Sequence, residues 1–386
     1  MVSILVVIYV VFISLGLPDS LFGVSWPVVH NEFMIPESFA SLYSIITGVC
    51  SGGVAFIAGV VIRKFGTPKV TLFSTILTAV GLIGISFSPN IVVMMLFTVV
   101  MSYGAGAIDT ALNNFVSLHY EARHMSWLHC FWGLGVTISP LIMSAFLNGE
   151  EGSWRLGYRV IALMQFSIAF LVLLFLKKWK NVDLKNQHKA EARAEKNEKV
   201  NIFKIKGAVT SILSQGFYCS MEFLIGTWGA TYLVNVFSYA PDAAARWVSL
   251  YYGGIMLGRL VAGFVSIKAS DNTLIRGGIG ISFAGIILLL LPLGELSVAG
   301  LLLIGFGFGP IFPCILHSVP TRFGEKYSAD LTGFHMGGAY AIGFLVQLIF
   351  GYTASATTFK LTPFVLVGFS VLLFLMNETT IKKVVK

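Results

Sequence analysis

Apolar stretches of about twenty residues or more, each long enough to cross a bilayer as a helix, follow one another along almost the whole chain. Backbone amides find no water in hydrocarbon, so a span must satisfy them internally, as a helix does. The candidate spans are 3–29, 38–62, 69–89, 91–118, 127–148 and 156–176, then 207–236, 243–267, 273–293, 296–320, 329–354 and 360–377. Between the two sets, Lys177–Lys206 gathers 10 Lys/Arg and 4 Asp/Glu, in a segment expected to be a short amphipathic helix or irregular. The expected fold class is an all-α membrane protein with twelve transmembrane helices as two pseudo-symmetric six-helix bundles. Residues 1–176 form the first bundle, 177–206 a cytoplasmic basic linker, and 207–386 the second bundle with a short cytoplasmic tail.

Basic residues orient the spans, because Lys and Arg accumulate in cytoplasmic connections. With the N-terminus inside, one side receives 22 of the 26 Lys/Arg and the other only Arg155, Arg159, Arg246 and Lys360. Both termini are therefore expected in the cytoplasm, and the protein in the cell membrane. The net charge of +8 follows from this asymmetry and requires no nucleic acid. Only 11% of residues are charged, against about 25% in soluble domains, which leaves no room for a large soluble domain. The first segment has no basic leader and is too long for a signal peptide's apolar core, so it is read as span 1. Cys50, Cys130, Cys219 and Cys314 lie far apart in apolar stretches and are read as small buried hydrophobes. The chain has no His-Glu-x-x-His, no Gly-x-Ser-x-Gly, no phosphate-binding loop and no acidic cluster for a metal. Neither enzyme activity nor a cofactor is expected.

The halves repeat each other weakly. His129, in Trp127–Gly133, and His335, in Gly333–Gly338, lie 206 residues apart, and Gly48 and Gly52 match Gly254 and Gly258. Parallel six-helix repeats suggest a site on the pseudo-two-fold axis. Small residues let helices approach closely in lipid, so Gly48-x3-Gly52, Gly254-x3-Gly258 and the run Gly305–Pro310 are read as packing faces, a few of which also slide.

An acid inside a bilayer costs about 2.5–3.5 kcal/mol or more to insert. Three are placed so: Asp19 in span 1, Asp109 in the inner half of span 4 and Glu222 in span 7. At about 1.5 Å per residue, Asp19 and Glu222 stand at similar heights and are expected to face one cavity. No Lys or Arg sits near mid-span, and Arg259, near the cytoplasmic end of span 8, is the nearest basic candidate. A carboxylate in low dielectric without a counter-ion favours its neutral form, a trait suited to a proton carrier. It equally suits a cation ligand, an acceptor for sugar hydroxyls, or a protonated acid bonded to a neighbouring helix. Gln215, Tyr218 and Glu222 share one face of span 7, with Trp228 higher up. An amide, a phenol, a carboxylate and an indole suit a polyhydroxylated ligand, the aromatic stacking on a sugar face. Tyr232 and Trp154 read as an interfacial aromatic belt. His129 and His335 open spans 5 and 11, as helix-end hydrogen-bonders or as a proton relay.

Twelve spans, a basic central loop, and the loop Gly59-Val60-Val61-Ile62-Arg63-Lys64-Phe65-Gly66 between spans 2 and 3 resemble the major facilitator superfamily over nearly the whole chain. So does Trp154-Arg155-Leu156-Gly157-Tyr158-Arg159. The family pattern has Asp where this chain has Arg63, a departure at the latch that the family forms between spans 2 and 11. More specifically, Gly106-Ala107-Ile108-Asp109-Thr110-Ala111-Leu112-Asn113 is similar to the acid-Thr-Ala-x-Asn motif of the fucose:proton symporter group. Tyr218-x3-Glu222, Trp228-x3-Tyr232 and Gly258-Arg259 are similar to its sugar-transporting relatives. That resemblance implies Asp109 as a substrate- or proton-linked carboxylate, Asp19 as the protonatable acid of span 1 and Asn113 as a hydroxyl ligand. The stretch Gly16-Leu17-Pro18-Asp19-Ser20 departs from the symporter pattern.

The expected function is secondary active transport of a small hydrophilic solute, a sugar or polyol, by alternating access with proton coupling. Asp19, Asp109 and Glu222 are the candidate proton-coupling acids, and Asn113, Gln215, Tyr218 and Trp228 the substrate-binding residues. Arg63, Arg259, His129 and His335 are candidate gating or interfacial residues. The partners expected are the solute, protons or sodium, and the lipid bilayer around a monomer. Efflux of amphipathic drugs or lipids, suggested by 32 Phe and 12 Met, is the alternative transport reading, and a non-transporting membrane sensor or scaffold is the alternative of another class.

Overall fold

The computed structural model describes residues 2–120, 122–147, 153–191 and 204–384. Among these there is no strand. The helices are α1 (Val2–Asp19), α2 (Leu21–Glu32), α3 (Ala40–Phe65), α4 (Thr67–Ser86), α5 (Ile91–His119), α6 (Ala122–Ser144) and α7 (Trp154–Glu191). They continue with α8 (Ala208–Phe237), α9 (Pro241–Val265), α10 (Asp271–Leu290), α11 (Glu295–Phe323), α12 (Glu325–Ala356) and α13 (Thr362–Val384). With α1 and α2 forming the two halves of span 1, each expected span has its helix. Among the described residues, ten of the helical stretches are long and apolar enough to cross a membrane. α8 is not among them, because buried Ser211, Ser214, Gln215, Ser220 and Glu222 dilute its apolar run.

The chain divides into two compact units, Met1–Ile35 with Leu42–Asn197, and Pro36–Ser41 with Glu198–Lys386. The second unit thus includes the end of the connection between α2 and α3 and the first two residues of α3. α7 runs past the expected start of the linker at Lys177 as far as Glu191, so the first part of that linker continues the helix. Residues 192–203 lie outside the described residues. In the first unit, α1 packs on α6 and α7, and α4 packs on α5 and α7. Ile8, Phe12, Leu15, Ile108, Leu112, Phe115 and Trp179 form a core there. In the second unit, α11 packs on α9 and α10, and α8 on α12 and α13.

Prolines create a need that other helices meet. A proline has no N–H, so the carbonyl four residues earlier loses its helical partner, and in hydrocarbon that carbonyl must find another donor. Pro18 in α1 frees the Ser14 carbonyl, which accepts a hydrogen bond from Gln165 Nε2 on α7. Pro140 in α6 frees the Val136 carbonyl, which accepts from Ser20 Oγ at 3.0 Å, at the break between α1 and α2. Gln165→Leu is therefore expected to lower stability by about 1–3 kcal/mol, the cost of a stranded buried carbonyl. Pro18→Ala restores an N–H within α1, so the double variant should recover most of that loss. Thermal melting of the purified protein measures both, and equal melting of Gln165→Leu and wild type would refute the pairing.

Glycines set the closest helix crossings. A Cβ on Gly16 would stand 2.3 Å from the Trp132 carbonyl, and one on Gly135 2.2 Å from the Ile13 carbonyl, so α1 and α6 meet backbone to backbone. Gly258 and Gly309 bring α9 against α11 in the same way, a Cβ on Gly258 falling 2.2 Å from the Phe306 carbonyl that Pro310 leaves free. The packing expected of Gly254, Gly258 and Gly305 is present. Gly52 differs: a Cβ there would meet nothing within 4 Å.

Candidate functional site

The α1–α6 crossing sets the surroundings of Asp19. With Gly16 and Gly135 in contact, the Trp132 indole on α6 reaches the end of α1 and donates Nε1–H to Asp19 Oδ2 at 2.7 Å. Asp19 remains exposed at the break between α1 and α2. Trp132, within the stretch Trp127–Gly133 around His129, is therefore a neighbour of the candidate acid, a contact that its spacing on α6 from His129 does not signal.

Asp109 and Asn113 are one turn apart on α5. Asn113 Nδ2 donates to Asp109 Oδ1 at 2.8 Å and to the Asp109 carbonyl at 3.0 Å. The motif thus forms a local clasp in which the amide holds the carboxylate and the second carboxylate oxygen has no described hydrogen bond. No described cation pairs with Asp109, so gain or loss of a proton there changes the local charge outright.

Glu222 corrects the expectation of an acid without a counter-ion. Arg259 on α9 approaches it at 3.6 Å, both side chains being 9% exposed. The close α9–α11 crossing fixes that stretch of α9, since a Cβ on Gly309 would stand 2.5 Å from the Arg259 backbone nitrogen. Tyr251, also on α9, donates its hydroxyl to the Glu222 carbonyl at 3.4 Å. One turn before Glu222 the Tyr218 hydroxyl is buried beside the Glu222 carboxylate, and two turns before it Gln215 Oε1 is buried with no described partner; the Tyr218 ring packs edge-on against Phe308 at 5.4 Å. The face Gln215–Tyr218–Glu222 is thus a buried polar strip offering an amide oxygen and a phenol.

Other expected residues sit differently. Trp228 is fully buried, packed against Phe350 and Phe359 and beside Gly351, with its indole N–H lacking a described acceptor. His335 lies well inside α12 rather than opening it. Its Nδ1 bonds the Leu331 carbonyl at 2.7 Å and must donate there, which leaves Nε2, 2.8 Å from Ser211 Oγ, to accept. Both nitrogens are therefore engaged, Nδ1 within α12 and Nε2 in fastening α12 to α8. His129 is likewise inside α6, edge-on to Phe12 at 5.9 Å. The Arg63 side chain lies outside the described residues. Trp154 and Tyr232 are buried, not an outer belt. Trp154 Nε1 donates to Glu32 Oε2 at 2.6 Å, and Arg155 joins the same carboxylate and the Ser88 carbonyl, tying α2, α7 and the α4–α5 turn together. Among the described residues no group of His, Cys, Asp and Glu could hold a metal ion, and none of the four cysteines forms a disulfide.

Comparison with known proteins agrees with this architecture. The chain is 25% identical over 388 residues to the glucose/mannose transporter GlcP of Bacillus subtilis, covering 95% of this chain and 91% of that one. Its fold is similar to that of the Escherichia coli xylose transporter XylE, with a TM-score of 0.74 at 12% identity, covering 98% of each chain. It is similar also to the fucose:proton symporter FucP of the same organism, with a TM-score of 0.64 at 13% identity over 97% of this chain and 98% of that one. The family model for the Major Facilitator Superfamily matches residues 8–348. With an all-helical fold, apolar spans and a family match over most of its length, the chain is an integral membrane protein and belongs to the Major Facilitator Superfamily.

Proposed function

We propose that the protein is a secondary active transporter that carries a hexose or a related sugar by alternating access, coupled to protons. The observation that carries this reading is the similarity to a glucose/mannose transporter along 95% of the chain. The buried strip Gln215–Tyr218–Glu222, with Arg259 beside it, supports it chemically, because sugar hydroxyls both donate and accept. Asp109 is the coupling acid, held by Asn113. Asp19 is a second protonatable group, steadied by Trp132, and Glu222 with Arg259 binds hydroxyls. Residues 1–176 and 207–386 act as the moving halves, and both termini face the cytoplasm.

The test is reconstitution in vesicles holding a pH-sensitive dye, with glucose, mannose, galactose, xylose and fucose added outside in turn. Symport carries a proton inward with the sugar, so the lumen should acidify with at least one of them. Labelled sugar entering with no pH change would remove proton coupling. No sugar flux, with flux of an amphipathic dye instead, would replace the reading by efflux.

A further inference from the structure

The connection between α2 and α3 does not stay with the helices it joins. Its end, together with the first two residues of α3, makes up Pro36–Ser41, which belongs to the second unit, and the 3₁₀ turn Glu37–Phe39 packs on α12. Two described hydrogen bonds hold it there. At the exposed rim, Asn235 Nδ2 on α8 donates to Glu37 Oε1 at 2.7 Å. Deeper, Ser41 Oγ donates to the Gln347 carbonyl on α12 at 3.1 Å. Gly351, one turn beyond Gln347, makes the room, since a Cβ there would stand 2.1 Å from Ser41 Oγ and 2.4 Å from the Trp228 ring. Trp228, Thr231 and Asn235 have the spacing of one face of α8, and Gln347 and Gly351 that of one face of α12.

Side chains on these two faces are short of described partners. Gln347 Oε1 and Nε2, Trp228 Nε1 and Thr231 Oγ1 are all buried without a described hydrogen bond. A buried polar atom left unpaired costs about 1–3 kcal/mol, and apolar residues of similar shape would avoid that cost. Four such atoms together point to groups whose partners arrive in another state of the protein. A carboxamide, an indole N–H and a hydroxyl supply both donors and acceptors, and the indole adds an apolar face.

We propose that Pro36–Ser41 is a strap whose lifting uncovers Gln347, Trp228 and Thr231 as a first docking position for the hydroxyls of an incoming sugar. The inference rests on the sugar-transport reading for its ligand, and on the strap's own contacts for its movement.

D-Glucose uptake into vesicles tests the ligand, using Gln347→Leu and Trp228→Phe. Each should raise the half-saturating glucose concentration about tenfold, the size of one lost hydrogen bond, while the melting temperature holds or rises. An unchanged half-saturation, or a loss of uptake that accompanies a lower melting temperature, overturns the docking role. The strap is tested by labelling Thr231→Cys with a membrane-impermeant maleimide, the native cysteines providing the background. Adding Glu37→Ala and Ser41→Ala should speed that labelling several-fold, and equal labelling overturns the strap. Should wild-type vesicles carry no glucose, the sugar reading falls by itself, and the maleimide rates still decide the strap.

Discussion

Asp109→Asn is expected to abolish uphill sugar accumulation while leaving sugar exchange across the membrane intact. One pH unit is worth about 1.4 kcal/mol per proton, so a one-proton symporter accumulates its cargo about tenfold for each unit imposed. In the variant the ratio of inside to outside sugar should fall to one. The substitution is a sparing one. Asn113 Nδ2 donates to Asp109 Oδ1 and to the Asp109 carbonyl, and an asparagine at 109 still presents a carbonyl oxygen to it. The clasp on α5 therefore survives, and what is lost is the capacity to take up and release a proton. Labelled glucose measured under an imposed pH gradient, and then in equal-concentration counterflow, separates the two activities. Undiminished accumulation by Asp109→Asn would remove Asp109 from coupling and shift attention to Asp19. Loss of exchange as well would mean that Asp109 holds the sugar.

The helices were legible because a membrane span satisfies its own backbone, so length and apolarity alone locate it. The costly acids were legible singly for the opposite reason, each standing out against apolar neighbours. Their partners were not. Trp132 reaches Asp19 only because Gly16 and Gly135 let two helices touch, and Arg259 reaches Glu222 from a different helix; no spacing along the chain encodes either contact. The Asp109–Asn113 clasp is the exception, being one helical turn within a single motif. Position near a span end suggested a lipid-facing belt for Trp154 and Tyr232, yet both are buried, because helix ends also pack on one another and on connecting turns. One signal was present and unused: a proline within a span announces a stranded carbonyl four residues back, and Gln165 and Ser20 answer two of them. The segment Pro36–Ser41 carries no such mark, and its attachment to α8 and α12 is purely tertiary.

The buried pair on α8 and α9 leads to the second large effect. Glu222 and Arg259 are almost wholly removed from solvent, and taking away one partner strands the other charge, which costs about 3–5 kcal/mol. Arg259→Met should therefore cut the yield of folded protein sharply and depress its melting temperature. Glu222→Gln in that background removes the stranded charge, so the double variant should melt close to wild type. Transport separates a structural pair from a binding one. A pair that only fastened α8 to α9 would let the double variant carry sugar normally once folding had recovered. We expect instead that the double variant, though well folded, transports at a few per cent of wild type or less. The carboxylate of Glu222 is a strong acceptor for sugar hydroxyls, charge-assisted bonds being roughly twice as strong as neutral ones, and a neutral glutamine amide replaces it poorly. Tyr218 and Gln215, one and two turns away on the same face, extend the same surface, with Gln215 Oε1 still without a described partner. Full recovery of glucose flux in the double variant, measured beside its melting curve, would assign the pair to stability alone and leave that strip without a charged sugar ligand.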